Sequence, residues 1–216
     1  FRSWSGGNFR IEQLDGSLGD LFSPHDPIIL SNGDVSLGNH TGASLHVLAG
    51  GNVTLGNIEI NSTGAADNTI SPDNTNPFLA SLANVRLSDG TTPLVIDGNA
   101  QPTLDVRAGI DWTLLGGAPG NTDTGGLSPA FEDRATSADI TIGTIANEGG
   151  VVFLTNQYRP NTALPVEAIQ VGTIDTSRST TGNGGAVTLD YRSGITINET
   201  VDASADFRSE ERRVGK

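Results

Sequence analysis

A short phrase recurs along this chain and limits what it can fold into. Gly33-Asp34-Val35-Ser36-Leu37-Gly38 is echoed by Gly51-Asn52-Val53-Thr54-Leu55-Gly56, and Ile58-Glu59-Ile60 follows at once. Ala138-Asp139-Ile140-Thr141-Ile142-Gly143, Ile169-Gln170-Val171-Gly172, Ala186-Val187-Thr188-Leu189 and Ile195-Thr196-Ile197 continue it. Each run places apolar residues at i and i+2 with a small polar residue between them, the period of a strand with one buried face. Gly, Asn or Asp closes each run, where the chain must turn. One such strand cannot bury its apolar face alone, whereas stacked coils share a thin continuous core. The interval from Val35 to Val53, or from Ile174 to Ile195, is roughly one coil of a β-solenoid.

Composition agrees. Hydrophobic residues make up 35% and aromatics 5% of the 216 residues, too few for one thick globular core. Charged residues are 17%, too few for a charge-driven disordered chain. Three segments interrupt the pattern: 62–77, 116–134 and 156–165 are rich in Asn, Asp, Gly, Thr or Pro and are expected to be surface loops. Further alternating strands are expected at Ala83-Asn84-Val85-Arg86-Leu87 and Leu104-Asp105-Val106-Arg107-Ala108. No segment sustains a helical period, and 78–87 comes nearest to one.

Several function classes are disfavoured. The net charge is −13, and the arginines of the long middle stand singly, so nucleic acid is a poor partner. There is no cysteine, which removes thiolate zinc sites and cysteine nucleophiles. No stretch approaches the ~20 apolar residues of a membrane helix. The residues 208–216 read as foreign: they match the translation of a common sequencing adapter and hold the only lysine, Lys216. The expectation is one β-helix over 1–207, an internal piece of a longer protein, followed by a non-native tail.

Other stretches carry a family resemblance. Phe9-Arg10-Ile11-Glu12-Gln13-Leu14-Asp15-Gly16-Ser17-Leu18-Gly19, Ser23-Pro24-His25-Asp26-Pro27-Ile28-Ile29, the run from Gly42 to Thr54 and Thr180-Thr181-Gly182-Asn183-Gly184-Gly185-Ala186-Val187-Thr188-Leu189 resemble filamentous haemagglutinin outer-membrane proteins of cyanobacterial type. The resemblance covers most of 1–207. It implies a right-handed parallel β-helix, export by two-partner secretion through an outer-membrane transporter, and a secreted or surface location on a Gram-negative bacterium. It implies an adhesive surface or a stalk with a host, cell-surface or glycan ligand, and it supplies no catalytic residues. The family's secretion domain carries Asn-Pro-Asn motifs, whereas this chain has Asn76-Pro77-Phe78, which places the piece downstream of that domain.

A polysaccharide-cleaving enzyme is the rival, since glycoside hydrolysis needs two carboxylates across the sugar bond. Asn121-Thr122-Asp123 superficially suits it, but no Asp-Asp pair, Gly-His-Gly or Arg-x-Lys accompanies it, so the expectation is no enzyme and no catalytic residue. His25, His40 and His46 lie close in sequence and are expected at the surface rather than on a metal. Alternation points His46 away from Leu45 and Val47. No cofactor is expected, beyond adventitious calcium at loop carboxylates such as Asp15, Asp20, Asp67 and Asp73. If the loops bind a ligand, Trp112 and Tyr158 are the aromatic candidates for surface anchors.

Overall fold

The structure is a computed structural model that describes residues 2–117, 135–178 and 182–205. The tail at 208–216, Asn121-Thr122-Asp123 and most of the 116–134 segment lie outside these residues. The chain is all-β and winds as a right-handed parallel β-helix. Coil 1 carries β1 (Arg2–Ser5), β2 (Phe9–Arg10) and β3 (Leu21–Ser23). Coil 2 carries β4 (Ile28–Ser31), β5 (Val35–Leu37) and β6 (His40–Ala43), and coil 3 carries β7 (Leu45–Ala49), β8 (Val53–Leu55) and β9 (Ile58–Ser62). An excursion over 63–102 follows, containing helix α1 (Pro77–Ala83) and the hairpin β10 (Asn84–Arg86) and β11 (Pro93–Val95). Coil 4 resumes with β12 (Thr103–Arg107), β13 (Ile140–Ile142) and β14 (Ile145–Ala146). Coil 5 holds β15 (Val151–Thr155), β16 (Ile169–Val171) and β17 (Ile174–Asp175), and coil 6 holds β18 (Ala186–Asp190), β19 (Ile195–Ile197) and β20 (Val201–Asp202).

The strands of successive coils pair in parallel and build three six-stranded sheets. The first runs β1-β4-β7-β12-β15-β18, the second β2-β5-β8-β13-β16-β19 and the third β3-β6-β9-β14-β17-β20. Alternation sets which side chains meet inside. The second sheet stacks Val35, Val53, Ile140, Ile169 and Ile195 in one inward column, with Leu37, Leu55, Ile142, Val171 and Ile197 in the next. Most of these belong to one buried cluster that runs through the solenoid.

The recurring phrase has a backbone reason beyond apolar burial. Asn8 Oδ1 accepts the Asp34 amide at 2.7 Å, Asp34 Oδ1 the Asn52 amide at 2.8 Å, and Asn52 Oδ1 the Asp139 amide at 2.8 Å. A second ladder at the next corner runs from Asp20 to Asn39, Asn57 and Thr144, with amides 2.7, 2.9 and 2.9 Å from the side-chain oxygens. Each Asx side chain therefore satisfies a turn amide in the following coil, an amide the sheets leave unpaired. The preceding glycine follows from this: a Cβ on Gly51 would lie 2.1 Å from Asp34 Oδ1. Replacing Asn57 by alanine should leave the Thr144 amide without its partner and cost about 1 kcal/mol. A thermal-melting comparison checks it, and an unchanged midpoint would show that water fills the place.

Three expectations change. Val35 does stack on Val53, but Ile195 stacks on Ile169, and Ile174 is followed one coil later by Val201. The later coils are longer because inserts leave their corners. Segment 78–87 does contain a helix: Asn76 Oδ1 accepts the Phe78 and Leu79 amides and Pro77 stands in the first turn, a sound N-terminus for seven residues. The alternating run at 83–87 forms the antiparallel hairpin outside the solenoid rather than a coil strand.

Candidate functional site

The first sheet differs from the other two because both faces of its four central strands, β4, β7, β12 and β15, are buried. Its outward positions include Ile28 and Leu30, then His46 and Leu48, then Asp105 and Arg107, then Phe153 and Thr155. The excursion lies over them. Ile28, Leu30, Leu48 and Phe153 join Ile70, Leu79, Leu82, Val85 and Ile96 of the excursion in a second buried apolar cluster. The 62–77 segment is thus a covering layer rather than a free surface loop, with Thr69, Ile70 and Ser71 fully buried.

Between these two layers lie four fully buried ionisable side chains, Asp26, His46, Asp105 and Arg107. Arg107 donates from Nε and Nη2 to the two Asp105 oxygens at 2.8 and 2.9 Å. Its Nη2 also donates to the Leu82 carbonyl at 2.8 Å, an acceptor at the end of α1. The guanidinium lies 4.4 Å from the centre of the Tyr158 ring and 5.7 Å from that of Phe153. His46 Nδ1 is 3.2 Å from Asp105 Oδ2, and His46 Nε2 is 2.9 Å from Thr69 Oγ1 and 3.5 Å from Asp26 Oδ2. Two carboxylates thus face two bases. Burial alone would push the His46 imidazole down, but Asp26 and Asp105 outweigh it and the group is pushed up to about 9. Burial acts to raise Asp105, yet Arg107 and His46 hold it below the ordinary carboxylate range.

Asp105, His46 and Thr69 stand in the order carboxylate, imidazole, hydroxyl, the arrangement of a nucleophilic triad. The chemistry does not follow. Thr69 is fully buried, so no substrate reaches it. A protonated His46 cannot take the Thr69 proton. Gly98 closes the remaining space: a Cβ there would lie 2.2 Å from Thr69 Oγ1 and 2.8 Å from His46 Nε2. The arrangement is suited to fastening the excursion onto the sheet.

No family model matches the chain, and comparison with curated proteins and with solved structures found no significant match.

Trp112 and Tyr158 are not surface anchors: they are 4% and 6% exposed. Trp112 packs in the second cluster and donates from Nε1 to the Ser31 carbonyl at 2.8 Å, and Tyr158 stacks on Arg107. Of the histidines, His25 is exposed, whereas His40 and His46 are fully buried. His40 points into the solenoid, between Leu21 and Ile58 in their column. Its two nitrogens lie 3.1 and 3.0 Å from the Leu21 and Ala43 carbonyls. Burial pushes its imidazole down, against the pull of those carbonyls and of Asp26. Among the described residues, no group of three or more acidic or histidine side chains is placed to hold a metal ion.

The second and third sheets both turn an open face to water, and the third carries the clefts. Glu59, Ala146 and Asp175 stack in one outward column, and the small Ala146 leaves a depression between two carboxylates. A cleft of about 510 Å³ lined by Glu59, Ala146, Glu148 and Arg178 adjoins one of about 210 Å³ lined by Ala146, Asp175 and Ser177. Asp175 Oδ1 is engaged locally, accepting the Ser177 amide and hydroxyl.

Proposed function

We propose that this chain is a segment of a secreted or surface-displayed filamentous adhesin of haemagglutinin type, serving as a binding surface or a structural stalk. The observation that carries this reading is the in-register stack of coils tied by two Asx ladders. Such a solenoid lengthens by one rung, roughly 4.8 Å, with every coil, and presents flat polar flanks along its length. The resemblance of the 9–19, 23–29, 42–54 and 180–189 stretches supports the same reading. Export then runs through an outer-membrane transporter of a Gram-negative bacterium. Among the described residues no helix is long and apolar enough to cross a membrane.

The purified chain, tested on a glycan array and on cell surfaces, is expected to bind a saccharide or surface component through its exposed flank. Absence of any binding would leave the stalk role alone. One observation favours a second reading, a polysaccharide-degrading enzyme. Glu59 of one cleft and Asp175 of the adjoining one stand two rungs apart, roughly 9.5 Å along the stack, near the spacing of an inverting pair. Release of reducing ends from polysaccharides, abolished by Glu59→Gln, would replace the adhesin reading with that one.

A further inference from the structure

The excursion touches the coils in sequence order. Near its start Gly64 packs on Asp26, which precedes the first strand of coil 2. Thr69 then meets His46 of coil 3, and the Leu82 carbonyl meets Arg107 of coil 4. Val85 shares an apolar cluster with Phe153 of coil 5. Finally Ser88 reaches Asp190 of coil 6, 102 residues later: its amide lies 3.3 and 3.4 Å from the two carboxylate oxygens, and its hydroxyl donates to Oδ1. The chain then returns, and Gly98 closes over His46.

We infer that residues 63–102 form a lengthwise brace that makes coils 2 to 6 open together instead of peeling one at a time. In a solenoid each coil contacts only its neighbours, so an end coil frays at little cost. In coil 6, the last of the described coils, Val187, Leu189, Ile195 and Ile197 are only partly buried. The brace adds what a solenoid lacks, a contact that skips coils. Ser88 belongs to a segment that leaves after coil 3 and re-enters at coil 4, yet it binds coil 6. Asp190 passes the restraint on to coil 5, because Thr155 Oγ1 donates to its Oδ2 at 3.2 Å. The role is independent of what the chain binds.

Native-state hydrogen exchange tests the brace. In the unaltered chain the β18 amides should exchange through the same opening as those of β12 and β15. Ser88→Ala, at an exposed position, should speed β18 exchange at least tenfold and leave β7 and β8 unchanged. Asp190→Ala should do so more strongly. Thr196→Ala, on the opposite sheet of coil 6, serves as the reference and should change β18 exchange less than twofold. The inference is overturned if β18 already exchanges far faster than β15 in the unaltered chain. It is equally overturned if Ser88→Ala and Asp190→Ala have no more effect than Thr196→Ala.

Discussion

Replacing Arg107 by alanine should destabilise the protein by about 3–5 kcal/mol, the cost of leaving a buried carboxylate without its partner. The guanidinium holds both Asp105 oxygens, the end of α1 and the Tyr158 ring at once. Lysine would not restore these contacts, since an ammonium cannot span both oxygens and lie flat on a ring. A joint change of Asp105 and Arg107 to leucine should cost less than Arg107→Ala alone, because no unpaired charge remains between those two. His46 would then keep Asp26 as its one charged neighbour. Urea unfolding midpoints decide the matter. A loss below about 1 kcal/mol for Arg107→Ala, the range of solvated surface pairs, would show that water reaches the pair in solution.

The second large effect is with pH. His46 is pushed up from its ordinary 6.5 to about 9 on folding. Its charged form therefore contributes stability that is complete below about 6.5 and is lost as pH rises through about 9. The loss is on the order of 3 kcal/mol over that interval. The groups that face it are Asp26 from the turn before β4, Asp105 and Arg107 from β12, and Thr69 from the excursion. His40 works the other way. Its folded value is lowered, so its contribution is present above about 6.5 and declines as pH falls below that value. Calorimetric melting between pH 5 and 10 should give a dome with its top near 6.5, the alkaline limb being the steeper. His46→Gln should flatten that limb. A limb of unchanged slope in the variant would show that another group sets it.

The coil pattern was open to sequence reasoning, because burial on one face writes itself as alternation. Val35-Ser36-Leu37 and Val53-Thr54-Leu55 are strands of a sheet whose outer face meets water, and their register follows from the pattern. The brace was hidden for the opposite reason. Period-two alternation tells which way a side chain points, but not what lies beyond it. Leu45-His46-Val47 and Asp105-Val106-Arg107 look like half-exposed strands, and the outward direction assigned to His46 is correct. Their polar members are nonetheless buried against one another under a second layer. A signal was present in the neighbouring strands of the same sheet. Ile28-Ile29-Leu30 and Val151-Val152-Phe153-Leu154 do not alternate, and continuous apolar runs mark strands covered on both faces. The helix that completes the cover is only seven residues long, too short for a helical period to emerge. Trp112 and Tyr158 were misplaced by the same omission, since both lie in inserts that fold back onto the coils.

The Asx ladders give the stack a polarity. Each Asn or Asp of the two ladders offers an oxygen to an amide of the coil that follows. A coil that has formed therefore presents side-chain acceptors to the turn amides of the next. The partners are 18 residues apart between coils 2 and 3, but 87 apart between coils 3 and 4, where the excursion and a further insert intervene. The brace breaks this order. Its Ser88 is delivered after coil 3, but Asp190 arrives only with coil 6. That long-range bond must therefore wait until coil 6 has been added.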